Sequence, residues 1–151
     1  MARQDIARQT SLEHEMLKHI TDALRVAIGW QLQGEELSRK LSTVRFISQS
    51  LQRHLEHLMA LEEYDGYMDM VAEQTPHLAR RVDALRHEHD QLRQAVNRIV
   101  PRLERVSHSN PTLVAQLCDE LLELVDTLDA HDKKEAALLQ EALGRDGGGE
   151  G

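Results

Sequence analysis

Cysteine occurs only once in the 151 residues, at Cys118. No internal disulfide can form, so the fold must rest on its core, and the cytoplasm is the expected location. Aromatic residues make up only 3% of the chain: Trp30, Phe46, Tyr64 and Tyr67. A core without them is built from Leu, Val, Ile, Ala and Met, a set that suits helices better than a β-sandwich. Helix breakers are scarce as well. There are three prolines and eight glycines, and five of the glycines fall in the last eight residues, so the body of the chain is almost free of them. No segment approaches the roughly 20 apolar residues of a membrane span. Residues 1–15 contain no apolar stretch of the secretory-signal kind. Basic charge is also short: the formal net charge is −8. That excludes the basic face a general nucleic-acid binder needs to neutralise phosphates, and no Lys/Arg cluster is dense enough for an anionic membrane.

What remains is helical periodicity over nearly the whole length. A first helix is expected over residues 5–33, stopping near Gly34, with His14, Leu17, Thr21, Leu24 and Ile28 facing inward. A second is expected over residues 36–71, with Leu37, Leu41, Val44, Leu51, Leu58, Glu62 and Asp65 on one stripe and Gly66 as a point of kinking or fraying. The third starts at Thr75-Pro76, a cap followed by a proline suited to the first turn. It carries Leu78, Val82, Leu85, His89, Leu92, Val96, Ile99 and Leu103, and Pro101 should bend or end it. The fourth starts at Asn110-Pro111 and presents Val114, Leu117, Leu121, Leu124, Leu128, His131, Glu135, Leu138 and Ala142. Four such helices on short turns fold most simply as an antiparallel up-down-up-down four-helix bundle, an all-α domain over residues 1–143. Residues 144–151 are expected to form a flexible glycine-rich tail. The chain also reads as two copies of a helix pair: Leu12-Glu13-His14 recurs as His87-Glu88-His89, and Glu62 and Glu135 follow His14 and His89 after similar intervals.

Five seam positions hold the wrong kind of residue for a core. His131 and Glu135, one turn apart, interrupt a leucine seam, and His14, Glu62 and His89 do the same on the other three helices. One histidine on such a seam would be read as a hydrogen-bonded structural residue. Two carboxylates in a core of Leu and Val are another matter. Each costs several kcal/mol unless a positive charge offsets it, and no Lys or Arg shares these stripes near them. A bound cation is the economical solution. Imidazole nitrogen with carboxylate oxygen suits iron, manganese or zinc, and carboxylates can bridge two such ions. The near-equal intervals from His14 to Glu62 and from His89 to Glu135 bring all five to one level of an antiparallel bundle.

These segments resemble the hemerythrin family, including its bacterial HHE cation-binding branch. The resemblance runs from about Ser11 to Ala142. It is carried by Leu12-Glu13-His14-Glu15, Leu61-Glu62-Glu63 with Asp65-Gly66-Tyr67-Met68, Leu85-Arg86-His87-Glu88-His89, and His131-Asp132-Lys133-Lys134-Glu135. It implies a four-helix bundle with a non-haem di-iron centre that binds or reacts with oxygen. The chain departs from the family pattern at Leu58, where the second helix usually carries a histidine, and at Leu85, where some members carry another. Two histidines flank Leu58. His57 is the better substitute and completes the expected metal set of His14, His57, Glu62, His89, His131 and Glu135. Its five-residue step to Glu62 rotates about 140° round a helix, so a local distortion is needed. His54 is on the correct stripe but about 12 Å away along the axis and leans away from Glu62.

The expected function is a small non-haem iron protein, di-iron or reduced to one metal, that binds O2 or a related diatomic for storage, sensing or detoxification. Two other readings stand beside it: a di-metal oxidase or peroxidase, which needs a proton donor near the site, and a metal-free interaction module whose site has decayed. Glu63 and Asp65 are by default solvated, with support of the ligands as the alternative; Tyr64, Tyr67 and Trp30 are expected to pack at bundle ends rather than line a pocket, and Cys118 is expected to be an inert small hydrophobe.

Overall fold

The computed structural model describes residues 3–64 and 66–148, with side chains for 8–64 and 66–144. Helix α1 spans Arg3–Ile28, α2 Glu36–Glu63, α3 Tyr67–Gln74, α4 Ala79–Arg105 and α5 Pro111–Gly148. A single 3-10 turn, Pro76–Leu78, links α3 to α4. There is no strand among the described residues, and no helix among them is long and apolar enough to cross a membrane.

The four long helices were expected from periodicity; their ends differ in instructive ways. Helix α1 stops at Ile28, short of the expected Gly34, and Gly29 N–H closes it on Arg25 O at 3.0 Å. Gly34 instead turns the chain into α2, with a left-handed φ of 64°. The expected second helix is in fact two. Tyr64 is extended, with φ −92° and ψ 103°, and the helix resumes only at Tyr67. Gly66 explains the break: a Cβ there would run into the carbonyl oxygens of Leu61 and Glu62, so the backbone can double back only at a glycine. Asp65, expected on this stripe, lies outside the described residues. Thr75 makes no side-chain cap, and Pro76 opens the 3-10 turn, so α4 begins later than expected, at Ala79. Pro101 does not end α4, which continues to Arg105. The carbonyls exposed at that end are met by Arg45, which donates to Leu103 O at 2.7 Å and to Val106 O. Asn110 caps α5 as expected, its Oδ1 accepting from Leu113 N–H at 3.3 Å. Helix α5 carries on to Gly148, past Gly144, where the tail was expected to begin.

Neighbouring helices pair the early residues of one with the late residues of the other. Arg81, His89 and Arg102 of α4 meet Glu141, Glu135 and Glu120 of α5. Arg45, Gln52 and Glu62 of α2 meet Leu103, Asn97 and His89 of α4. His14 and Arg25 of α1 meet Glu135 and Asp126 of α5.

The apolar seams bury into two clusters. The larger joins Leu17, Leu24, Leu51, Leu58, Leu92 and Leu121 with their neighbours from α1, α2, α4 and α5. The smaller gathers Tyr67, Met68 and Val71 of α3 with Leu78, Val82, Leu85 and Leu138. Along α4 the smaller cluster ends at Leu85 and the larger begins at Leu92; along α5 the larger ends at Leu128 and the smaller begins at Leu138. His89, His131 and Glu135 occupy the gap. The polar residues form a layer between two apolar bodies.

Candidate metal centre

Four side chains of this layer are almost wholly removed from solvent: Glu62 at 1%, His89 at 0%, His131 at 2% and Glu135 at 2%. They come from α2, α4 and α5, and His14 reaches them, half-buried, from α1. The two carboxylates sit between the histidines. Glu62 turns Oε2 to His14 Nε2 at 3.2 Å and Oε1 to His89 Nε2 at 3.5 Å. Glu135 turns Oε2 to His14 Nε2 at 3.3 Å and Oε1 to His89 Nε2 at 3.2 Å, and the same Oε1 lies against His131 Nε2. Each carboxylate thus offers one oxygen to the α1 side and the other to the α4 side. No Lys or Arg pairs with either one among the described residues.

The outward ring nitrogens have their own carboxylates. His131 Nδ1 faces Glu88 Oε1 at 3.0 Å, and Glu88 is held by Lys134 at 2.9 Å. His89 Nδ1 faces Glu63 Oε1 at 3.5 Å, and Glu63 is gripped by both terminal nitrogens of Arg93. His14 Nδ1 faces Asp132 Oδ1 at 3.8 Å. At His131 the outer carboxylate hydrogen-bonds Nδ1 and sets Nε2 inward, the usual arrangement behind a metal-bound imidazole; at His89 and His14 the outer carboxylates stand farther off.

The electrostatics follow from that crowding. Burial works against charge on His14, but the Glu135 and Glu62 carboxylates outweigh it and lift the imidazole to about 10. The same opposition lifts His89 to about 9 and raises His131, where Glu135 and then Glu88 are the partners. Burial raises Glu62 to about 7, helped by Glu135 beside it. Glu135 goes the other way: burial opposes its charge, but Glu62 and the three histidines donate to it and hold it well below the usual carboxylate range. Burial also opposes charge on Glu63 and Glu88, yet Arg93 holds the first low and Lys134 with His131 the second. Burial pushes Asp132 up to about 6.

A cation fits this donor set. His131 Nε2 and Glu135 Oε2 are buried and make no well-formed hydrogen bond, only the close approaches of His131 to Glu135 and of Glu135 to His14, so an ion among them would meet atoms that hydrogen bonding leaves poorly satisfied. Both belong to constellations suited to an ion. His89, His131 and Glu135 bring ligand atoms within 4.8 Å of one another, and so do His14, Asp132 and Glu135. Glu135 is common to both. A family model for the hemerythrin HHE cation-binding domain matches residues 5–143. The chain belongs to the hemerythrin HHE cation-binding domain family. Among curated proteins and among solved structures nothing matched.

Within this family frame, the structure brings together five of the six expected residues: His14, Glu62, His89, His131 and Glu135. It does not bring His57 to them. His57 is 53% exposed and faces Glu13 at 3.5 Å, and His54 faces the same carboxylate at 3.7 Å. The helix keeps its regular rotation here, so a five-residue step from Glu62 leads away from the layer. Leu58 and Leu85 are buried in the apolar clusters, so they bring hydrocarbon where the family pattern would bring nitrogen. Two residues near the centre, Asp132 and Glu88, were not read from the sequence as parts of it, and a third, Tyr67, was read as packing at a bundle end rather than lining a pocket. Glu88 and Asp132 directly adjoin seam histidines, on flanks where charge is ordinary. Tyr67 was expected at a bundle end, but α3 folds it inward to 6% exposure, with its hydroxyl buried and without a hydrogen-bond partner. Burial, then the charges of Glu135 and Glu62, raise its pKa, so the phenol stays protonated. A cavity of about 490 Å³ between α1 and α5 opens onto His14, Asp132 and Glu135.

Proposed function

We propose that the chain is a non-haem iron protein that binds O2 or a related diatomic at this centre, for storage, sensing or detoxification. The observation that carries the reading is the pair of inaccessible carboxylates, Glu62 and Glu135, set between three histidines with no Lys or Arg to neutralise them. Iron, when bound, supplies an open coordination position and one-electron chemistry for a diatomic ligand. The protein's part is to present it. Glu62 and Glu135 each turn two oxygens in opposite directions, which suits two ions as well as one. Glu88 and Glu63 hold His131 and His89 with Nε2 inward. The apolar clusters above and below the layer shield it from bulk water except at the cavity beside His14 and Asp132. The reading includes an up-down-up-down order of the four long helices, supported by their early-to-late pairings. It places the protein in the cytoplasm, in keeping with its single buried cysteine, Cys118. It assigns the chain neither nucleic-acid nor membrane partners, in keeping with its net charge of −8.

The test is iron content after anaerobic loading with ferrous iron, followed by O2 uptake. Glu135→Ala should lose all iron while keeping its helicity by circular dichroism, because Glu135 serves both constellations. Wild-type protein that stays iron-free after loading would refute the proposal, as would full iron in the variant. One observation favours a second reading, an oxidase or peroxidase: Tyr67 places a buried, protonated hydroxyl among the charges of Glu135 and Glu62, which supplies the proton donor such an enzyme needs. Peroxide turnover by the iron form that falls at least tenfold in Tyr67→Phe, with iron content unchanged, would establish it.

A further inference from the structure

The three histidines of the layer share one arrangement, with one exception. His131 and His89 turn Nε2 to the inner carboxylates and Nδ1 to an outer carboxylate that is itself anchored, Glu88 by Lys134 and Glu63 by Arg93. His14 turns Nε2 inward in the same way, and Asp132 stands 3.8 Å from its Nδ1, no more a hydrogen bond than Glu63 at 3.5 Å from His89 Nδ1. Asp132 differs in having no Lys or Arg partner among the described residues. It is one-third exposed, in the cavity between α1 and α5. What it does approach is the set of ligand atoms of His14 and Glu135, all within 4.8 Å. Glu135 Oε2, the oxygen on this side, is buried and makes no well-formed hydrogen bond, with His14 Nε2 at 3.3 Å opposite it.

We infer that Asp132 is a cation ligand, and that it gives the centre a second position chemically unlike the first. The inference rests on the cation-binding reading proposed above. The inner position is formed by His89, His131 and Glu135, all buried, and is rich in nitrogen. The outer is formed by His14, Asp132 and Glu135 and is rich in oxygen, with Glu62 within reach of both. Asp132 takes up, from the last helix, the coordination that Leu58 no longer supplies from the second. Two consequences follow from position and chemistry. The outer site is harder in its ligand preference, suited to ions that favour carboxylate. It also exchanges its ion through the cavity of about 490 Å³, whereas the inner site, at 0–2% exposure, is reached only past Glu135 or through a smaller cavity of about 190 Å³ at His131.

Zinc separates the possibilities, because it needs no oxidant. Purified full-length protein loaded with zinc and dialysed should hold two ions per chain. A chromogenic chelator should withdraw one quickly and the other slowly. Asp132→Asn keeps an oxygen able to accept from His14 Nδ1 but loses the charge a ligand provides, so it should hold one zinc and lack the fast phase; Asp132→Ala should behave the same way. His131→Ala should lose the slow phase instead. Two zinc ions released from Asp132→Asn with wild-type kinetics would overturn the inference and reduce Asp132 to an orienting partner of His14. A single release phase in wild-type protein, or a single zinc indifferent to Asp132, would also overturn it, leaving the cation-binding reading intact. Wild-type protein that holds no zinc would overturn both together.

Discussion

Loading the centre with a divalent ion must expel protons, and the number is set by the geometry. An ordinary imidazole, with a pKa near 6.5, is about one-tenth protonated at pH 7.5, so three of them would release about 0.3 protons. Here the carboxylates of Glu135 and Glu62 lift His14 to about 10 and His89 to about 9, and His131 is raised as well. His14 and His89 therefore carry a proton at pH 7.5, and Glu62, at about 7, adds roughly a quarter more. Metal requires neutral imidazole and ionised carboxylate, so loading should release at least about two protons per chain, with His131 adding to that. The assay is a pH-stat titration of metal-stripped protein with manganese(II), whose own water stays un-ionised at this pH, counting base consumed per chain. Release should shrink as the starting pH rises through 9 to 10. Stability of the stripped protein should follow the same groups. Their folded pKa values lie above the ordinary 6.5, so the attraction stabilises fully below about pH 6.5 and is lost as the pH climbs through the folded values. Stripped protein should therefore melt earlier in alkali than at pH 6. Release of less than one proton at pH 7.5, with manganese bound, would refute the reasoning.

Two further outcomes are expected. Gly66→Ala forces a Cβ into the carbonyls of Leu61 and Glu62; it should destabilise by roughly 2 kcal/mol and weaken metal retention by displacing Glu62, both readable by thermal melts and metal analysis. Leu121→Ala, at a wholly buried position of the larger cluster, should cost about 2–5 kcal/mol in chemical denaturation while leaving metal stoichiometry unchanged, because it lies two turns and more from His131.

The seams of leucine and valine were legible because burial on a helix imposes its period on sequence. His14, Glu62, His89, His131 and Glu135 were legible for the opposite reason: each violates that period. Asp132, Glu88 and Glu63 violate nothing, since charged residues on a helix flank are ordinary, and only the packing of α4 against α5 and α2 reveals what they face. The interruption at residues 64–66 depends on how closely Gly66 approaches the backbone of Leu61 and Glu62, a contact no local pattern records. His57, the expected substitute, is the one that the helix geometry does not bring to the other five. The regular rotation of α2 carries it to Glu13, and nothing in the chain bends the helix to bring it back.

The layer between the two apolar clusters has a mechanical meaning. Tyr67, Met68, Val71 and Leu78 are joined to the rest of the bundle across a seam of charge, and hydrocarbon contact is interrupted there. Such a boundary is where cooperativity can divide, and amide exchange is expected to find the α3 end opening at lower cost than the leucine body. An ion seated among Glu62, His89, His131 and Glu135 fastens the two parts like a rivet. The same event that completes the centre then turns two hinged blocks into one.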